Sequence, residues 1–320
     1  MEPARNMETE VKPVVMIGAG PSALAAAIYT TREDIDTTLY EKGVIGGLAA
    51  ITDIVDNYPG FPEGIGGMAL ADQLQKQAER FGAHIEYGDV SAIKDCGEYR
   101  ELTIDGKAVR AKAVLIATGS DYNKLGIPGE AEYYGRGVHY CATCDGAFYR
   151  DKRLVVVGGG NSGVQETLFL TRFASHIDLL VRSTVKASQV LQDELQKYVE
   201  QGKVTIHLST TPNEIVADEN GKVVKVTGVK NGAATEFATD GVFVFIGLKP
   251  NTQFLADSGI ELDSLGLIKT NEHLATTMPG VFASGDVRSG ATMQVASAVG
   301  EGATAALNIR EFLDDQKRFS

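Results

Sequence analysis

Cys141 and Cys144 are separated by two residues, and Asp145 follows directly. Two thiols at this spacing can close a disulfide within one turn of backbone. An acidic neighbour can move the protons that such chemistry releases. Zinc is one alternative for the pair, but it takes about four ligands, and only Cys96 and five scattered histidines remain to complete them. Two buried thiols without chemistry are the bland alternative. The spacing favours a redox dithiol over both. Asp145 is an acid/base candidate, or a turn residue before Gly146. His139 is left unassigned, because a lone histidine is more often structural, and Cys96 reads as a bystander.

Two glycine-rich loops flank the pair, Gly18-Ala19-Gly20-Pro21-Ser22-Ala23 and Gly158-Gly159-Gly160-Asn161-Ser162-Gly163. Loops of this kind serve dinucleotides. The first glycine makes the tight turn, the second lets backbone approach a pyrophosphate, and the last small residue allows helix–strand packing. The helix that follows points its N–H groups at the phosphates. Glu41, 23 residues after Gly18, is placed to accept hydrogen bonds from ribose hydroxyls. The same count from Gly158 reaches Val181, which cannot. Arg182 and Lys186 beyond it are cations for a 2′-phosphate, favouring NADPH over NADH, or else solvated surface charges.

These motifs need elements to hold them. An apolar strand over 13–17, an alanine-rich helix over Pro21–Thr31 and a strand over Thr37–Glu41 make one β-α-β unit. A glycine- and proline-rich stretch over 46–67, centred on Asn57-Tyr58-Pro59-Gly60-Phe61-Pro62, is long enough to suggest function. A helix over 69–81 and a strand over 113–118 follow. The pattern then restarts, with a strand over Arg153–Val157, a helix over 162–173 and a strand over 176–181. Asn220-Gly221 and Asn231-Gly232 signal hairpins, and a buried strand is expected over 241–246. The chain closes with 280–286 and a helix from about Thr292. The expected fold is α/β, with two Rossmann-like (βαβ, three-layer) nucleotide-binding domains. The second, 123–248, is inserted in the first, 1–122 and 249–320.

The net charge of −12, from 30 basic and 42 acidic residues, argues against a nucleic-acid partner. No run of about 18 apolar residues exists, so no membrane span is expected. The first ten residues are polar, so no secretory leader is expected, and the cysteine usage fits a reducing cytosol.

In these motifs the chain resembles the low-molecular-weight, bacterial-type thioredoxin reductases over nearly its whole length. The likeness rests on Gly-Ala-Gly-Pro-Ser-Ala (18 to 23), Asn-Tyr-Pro-Gly-Phe-Pro (57 to 62), Ala117-Thr118-Gly119, Cys-Ala-Thr-Cys-Asp-Gly (141 to 146), Gly-Gly-Gly-Asn-Ser (158 to 162) and Ala-Ser-Gly285-Asp286 (283 to 286). The resemblance implies FAD in the first domain, NADPH in the inserted one, a cytoplasmic homodimer, and electron transfer to thioredoxin or a thioredoxin-like protein. It places Gly18, Gly20, Glu41, Asn57 and Asp286 on the flavin, with Gly46, Gly47 and Gln294 in flavin-side motifs. Cys144 becomes the thiol facing the flavin, Cys141 the one that attacks the partner disulfide, and Asp145 the proton carrier.

Three positions depart from the family pattern. His-Arg-Arg and a later arginine are replaced by Val181-Arg182-Ser183 and Lys186, with one residue fewer between. Gly-Gly-Gln becomes Gly46-Gly47-Leu48, and Arg-Gln becomes Met293-Gln294. These bear on the electron donor more than on the disulfide. The leading expectation is therefore a flavin-dependent thioredoxin-disulfide reductase. The alternatives are the same chemistry with another donor, a thiol oxidase passing electrons to oxygen, and a non-enzymatic flavin sensor. A dithiol that must meet flavin, donor and partner also implies an inserted domain that rotates, about connections near 121–126 and 247–251.

Overall fold

The computed structural model describes residues 10–52 and 54–319, with backbone alone over 317–319. The reading of a polar start at residues 1–9 lies outside them. The chain divides into two compact units, Met1–Asp121 with Lys249–Ser320, and Tyr122–Leu248.

The first unit is built on a seven-stranded sheet. Strand Val11–Ile17 lies between Thr37–Glu41 and Lys107–Ile116, parallel to both, with Val14 paired to Thr37 on one side and Ala113 on the other. Its side chains alternate between faces, as strand geometry requires. Val14 and Met16 join one apolar core with Leu24, Leu39 and Leu115, while Val15 and Ile17 join another with Ile116 and Ile268. Such a strand, buried on both faces, reads as a continuous apolar run. Strands Val90–Asp95 and Arg100–Ile104 extend the sheet in antiparallel fashion. The helix Pro21–Thr31 is rich in alanine for a packing reason. It is covered by the sheet and by the C-terminal helix Val295–Phe319, and Gly302 of that helix lies so close that a Cβ there would sit 2.1 Å from the Ser22 carbonyl oxygen.

The second unit repeats the plan. Strands Val138–His139, Gly241–Val244, Arg153–Val157, His176–Leu180 and Val204–His207 form one parallel sheet in that order. Helices Asn161–Leu170 and Gln189–Glu200 follow two of its strands. A three-stranded antiparallel sheet, Thr210–Ala217, Val223–Lys230 and Ala233–Ala238, is appended. Asn231 and Gly232, both at positive φ, make its two-residue turn between Lys230 and Ala233.

Several elements differ from the sequence expectation. The C-terminal helix begins at Val295 rather than near Thr292, because Met293 has a left-handed φ of 57° that a helix cannot contain. The strand expected over 113–118 stops at Ile116. Beyond it, Thr118 Oγ1 donates to the Asn251 carbonyl at 2.8 Å and the Asn251 amide donates back to the Thr118 carbonyl at 3.1 Å. The stretch over 46–67 is not bare loop. It holds a short helix, Gly47–Ala50, and a small hairpin of Ile54–Val55 with Ile65–Gly66.

Gly302→Ala is expected to destabilise the protein by roughly 1–3 kcal/mol, since the helices must part to admit a methyl group. Urea unfolding of the two proteins measures this as a lower midpoint at unchanged slope.

Candidate active site

The first cradle forms where strand Val11–Ile17 turns into helix Pro21–Thr31. Gly18 has φ of 98°, and a Cβ there would lie 2.6 Å from the Ala117 carbonyl oxygen. Only glycine fits that approach. Gly20 has nothing within 4 Å of its Cβ position, so the loop is open to a ligand. Pro21 opens the helix, and no side chain caps its first turn, which leaves the N–H groups of that turn for an anion. Gly46 brings a second loop against the first. Its N–H donates to the Ala19 carbonyl at 2.8 Å, and a Cβ would meet that of Ala71 at 2.3 Å.

Glu41 ends the second strand and binds the same loop. Its carboxylate accepts from the Ala19 and Gly43 N–H groups, both at 2.7 Å. A cavity of about 340 Å³ opens beside it, lined by Gly18, Tyr40, Lys42, Asp89, Thr118 and Asn251 among others. At the other end of the cradle, Gly285 stands at φ of 72° with its Cβ position 3.2 Å from Ser22 Cβ, and the Ser22 and Ser284 hydroxyls bond at 2.6 Å. Asp286 follows. Its Oδ1 is buried with no hydrogen-bond partner, and burial, then the charge of Glu301, pushes its carboxyl up to about 6. A buried carboxyl oxygen without a donor is the expected contact for a ligand hydroxyl. The glycine cradle, the Glu41 carboxylate at its edge and this oxygen together fit a dinucleotide such as FAD. Nearby, Asn57 Nδ2 donates to Gln294 Oε1 at 3.0 Å, and Gln294 Nε2 donates to the Met293 carbonyl at 2.8 Å. Leu48 and Met293 are both part-buried. The places of Asn251 and Glu301 beside this site had no motif to announce them.

In the second unit Cys141 and Cys144 form a disulfide, with Cα atoms 5.3 Å apart. Cys141 caps the start of the four-residue helix Ala142–Asp145, and Cys144 lies within it. The Cys144 N–H points at Cys141 Sγ at 3.1 Å, and the Asp145 N–H donates to the Cys141 carbonyl at 3.2 Å. Both cysteines are part-exposed. Gly146 lets the next turn pack, since a Cβ there would lie 2.9 Å from Leu170. Asp145 has an unforeseen neighbour, for its Oδ2 lies 3.3 Å from Nδ1 of the unassigned His139.

The second cradle repeats the first. Gly158 has φ of 143°, with its Cβ position 2.2 Å from the Phe245 carbonyl oxygen, and that of Gly163 is 2.4 Å from the Gly158 carbonyl oxygen. Gly160, Asn161 and Ser162 are exposed at the uncapped start of helix Asn161–Leu170. The segment 183–188 folds back onto this loop. The Lys186 N–H donates to the Gly159 carbonyl at 2.7 Å, and the Ser188 N–H donates to Asn161 Oδ1 at 2.8 Å. Val181 is buried against Gly159 and offers no acceptor, whereas Arg182, Ser183 and Lys186 are exposed. Among the described residues no group of three or more His, Cys, Asp and Glu is placed to hold a metal ion, and no helix is long and apolar enough to cross a membrane.

Residues 12–302 match the family model described as pyridine nucleotide-disulphide oxidoreductase. The thioredoxin reductase of Bacillus subtilis is 42% identical over 311 residues, covering 96% of each chain. The crystal structure of thioredoxin reductase from Streptococcus pyogenes superposes with a TM-score of 0.90 at 38% identity, over 96% of this chain and 99% of that one. That of the Lactococcus lactis thioredoxin reductase in its FR conformation gives 0.64 at 40% identity, over 95% and 99%.

The Asp286 carboxyl sets a pH prediction for the ligand-free protein. Its pKa is raised from 3.8 to about 6, so the folded state holds the proton more tightly than the unfolded state. Stability then falls as pH rises from about 4 to about 6, by on the order of 2–3 kcal/mol. Asp286→Asn is expected to raise the urea midpoint at pH 8 and to leave it nearly unchanged at pH 4.

Proposed function

The chain belongs to the pyridine nucleotide-disulphide oxidoreductase family, as one of its low-molecular-weight thioredoxin reductases, and we propose that it reduces the disulfide of thioredoxin or a thioredoxin-like protein. The observation that carries this reading is the Cys141–Cys144 disulfide, part-exposed and followed by Asp145, on the unit that also bears the second glycine cradle. The first cradle, with Glu41 and the unpartnered Asp286 oxygen, is the proposed FAD site. When bound, FAD supplies a carrier that accepts two electrons from a nicotinamide and delivers them to a disulfide.

The chain's own residues do the rest. Cys144 receives the electrons as the Sγ–Sγ bond opens. Cys141 then attacks the partner disulfide as a thiolate, giving a mixed disulfide and a leaving partner thiolate. Cys144 resolves that intermediate by attacking Cys141 Sγ, which restores the starting disulfide and releases the second partner sulfur. Asp145 exchanges protons with these sulfurs. A cytoplasmic homodimer is the proposed working state.

NADPH is the proposed donor, with its pyrophosphate on Gly158, Gly160, Asn161 and Ser162, and with Arg182 and Lys186 for its 2′-phosphate. The exposed Ser183 and buried Val181 favour a second reading, in which the chain uses NADH or another donor. The rotation of the second unit stands as a proposal. It is supported by Gly247 at φ of 102°, whose carbonyl accepts from the Asn123 N–H at 3.0 Å, at one connection between the units.

Steady-state oxidation of NADPH and of NADH with thioredoxin as acceptor tests the function and the donor together. No turnover with either nucleotide would remove the NAD(P)H reading. Cys141→Ser and Cys144→Ser are each expected to lower thioredoxin reduction ~10³-fold or more while flavin binding persists. Ser183→Arg restores a planar cation beside the 2′-phosphate position and is expected to shift the ratio of kcat/KM for NADPH over NADH about tenfold upward.

A further inference from the structure

Beside the dithiol, His139 and Tyr149 form a polar pair that the exchange just described does not use. His139 ends the strand Val138–His139 and is only 5% exposed. Its ring stacks on Phe243 with centroids 5.1 Å apart, and Tyr149 meets it edge-on at 5.3 Å. Nδ1 lies 3.3 Å from Asp145 Oδ2, and Nε2 lies 2.7 Å from the Tyr149 hydroxyl. Tyr149 is held by packing, since its ring covers Gly241, where a Cβ would come within 2.3 Å of Cε1.

The direction of these bonds follows from chemistry. Burial, then the charges of Asp145 and Asp240, raises the Tyr149 hydroxyl well above the usual phenol range. Tyr149 therefore keeps its proton, and because the Asp145 carboxylate facing Nδ1 can only accept, Nε2 is the ring nitrogen left to accept from the Tyr149 hydroxyl. An imidazole that accepts at Nε2 carries its hydrogen at Nδ1, which then points at the Asp145 carboxylate. Phe243 is apolar, and Tyr134, from the segment before the strand, is raised by its burial and by the charge of Asp145.

Proton balance gives the cluster a task. Two electrons entering the disulfide break the Sγ–Sγ bond and leave two thiolate sulfurs, which take up two protons to become the dithiol. A hydride donor brings two electrons and one proton, so the second proton comes from water. We propose that Tyr149 and His139 are positioning residues that carry this proton to Asp145. It moves from the hydroxyl to Nε2 and from Nδ1 to Oδ2, and Asp145 passes it to the thiolate next to it in sequence, at Cys144. Tyr149, which is part-exposed, regains its hydrogen from water. The line reloads the acid from inside the fold when flavin or a docked partner covers the sulfurs. This inference rests on the disulfide-reductase reading above.

The test uses the full-length holoenzyme and dithiothreitol, whose thiolate attacks the Cys141–Cys144 bond and expels a cysteine thiolate that must be protonated. Trapping free thiols with iodoacetamide follows the rate from pH 5.5 to 8.5. His139→Asn keeps an N–H donor near Oδ2 but has no second nitrogen through which to pass a proton. Tyr149→Phe keeps the ring and removes the hydroxyl. Each is expected to bind flavin normally, to slow disulfide opening ~10-fold at pH 7, and to take on the altered pH profile of Asp145→Asn. The double variant His139→Asn with Asp145→Asn is expected to be no slower than Asp145→Asn alone. If His139→Asn keeps the wild-type rate and profile, His139 only holds Asp145 in place and the proposal fails. It also fails if Tyr149→Phe leaves the profile unchanged while Asp145→Asn alters it. Loss of the reductase reading would show separately, as a wild-type protein whose dithiol forms normally with dithiothreitol yet never reduces thioredoxin.

Discussion

Two contacts without room for a side chain set the geometry of this chain. The Cβ position of Gly18 falls 2.6 Å from the Ala117 carbonyl oxygen, and that of Gly158 falls 2.2 Å from the Phe245 carbonyl oxygen. In each unit the glycine loop is pressed against the chain leaving a neighbouring parallel strand. That pressure turns the first strand sharply into its helix and aims the helix's free N–H groups outward. Both nucleotide cradles are built around those two turns. Glu41 and Gly46 fasten onto the loop of the first unit through the Ala19 backbone. The segment 183–188 fastens onto the loop of the second through Gly159 and Asn161.

The repeated turn was legible in the sequence because it depends on residue types at fixed spacing. Glycine at Gly18 and Gly158, an apolar run before each and a small residue five positions later all follow from local sterics. The α/β class and the paired β-α-β pattern came with them. Other features depend on which segments meet in space. His139 and Asp145 are six residues apart, but their contact needs a two-residue strand followed by one helical turn, and nothing in the periodicity announces that. The left-handed backbone at Met293 is equally hidden, because methionine carries no turn signal. Had a glycine stood there, the later start of the C-terminal helix would have been readable.

The departures at Val181, Ser183 and Leu48 acquire different weights once placed. Val181 is buried against Gly159, so its apolar character is a packing requirement as much as a loss of a ribose acceptor. Ser183 is exposed, and nothing in the packing prescribes it. It is therefore the position at which selection for a nucleotide phosphate, or its absence, is free to act. Leu48 lies in the short helix Gly47–Ala50, which the close approach of Gly46 to Ala71 fixes in place. Its side chain is part-buried where the family pattern has a polar amide.

Asp286 and Asp145 show two ways of keeping a carboxyl inside a protein. Asp145 has an internal partner, since the imidazole of His139 faces its Oδ2. Asp286 has a buried oxygen with no donor, and burial, then the charge of Glu301, raises its pKa to about 6. An unpaired buried oxygen costs roughly 1–3 kcal/mol, a large share of the stability of an ordinary domain. A ligand hydroxyl that donates to it removes that cost on binding. Binding and folding of the first unit are then coupled, because the ligand stabilises the native state beyond its own contacts. The dithiol works on the opposite principle. The carboxylate beside it, Asp145, already faces an internal partner in His139 before any ligand arrives.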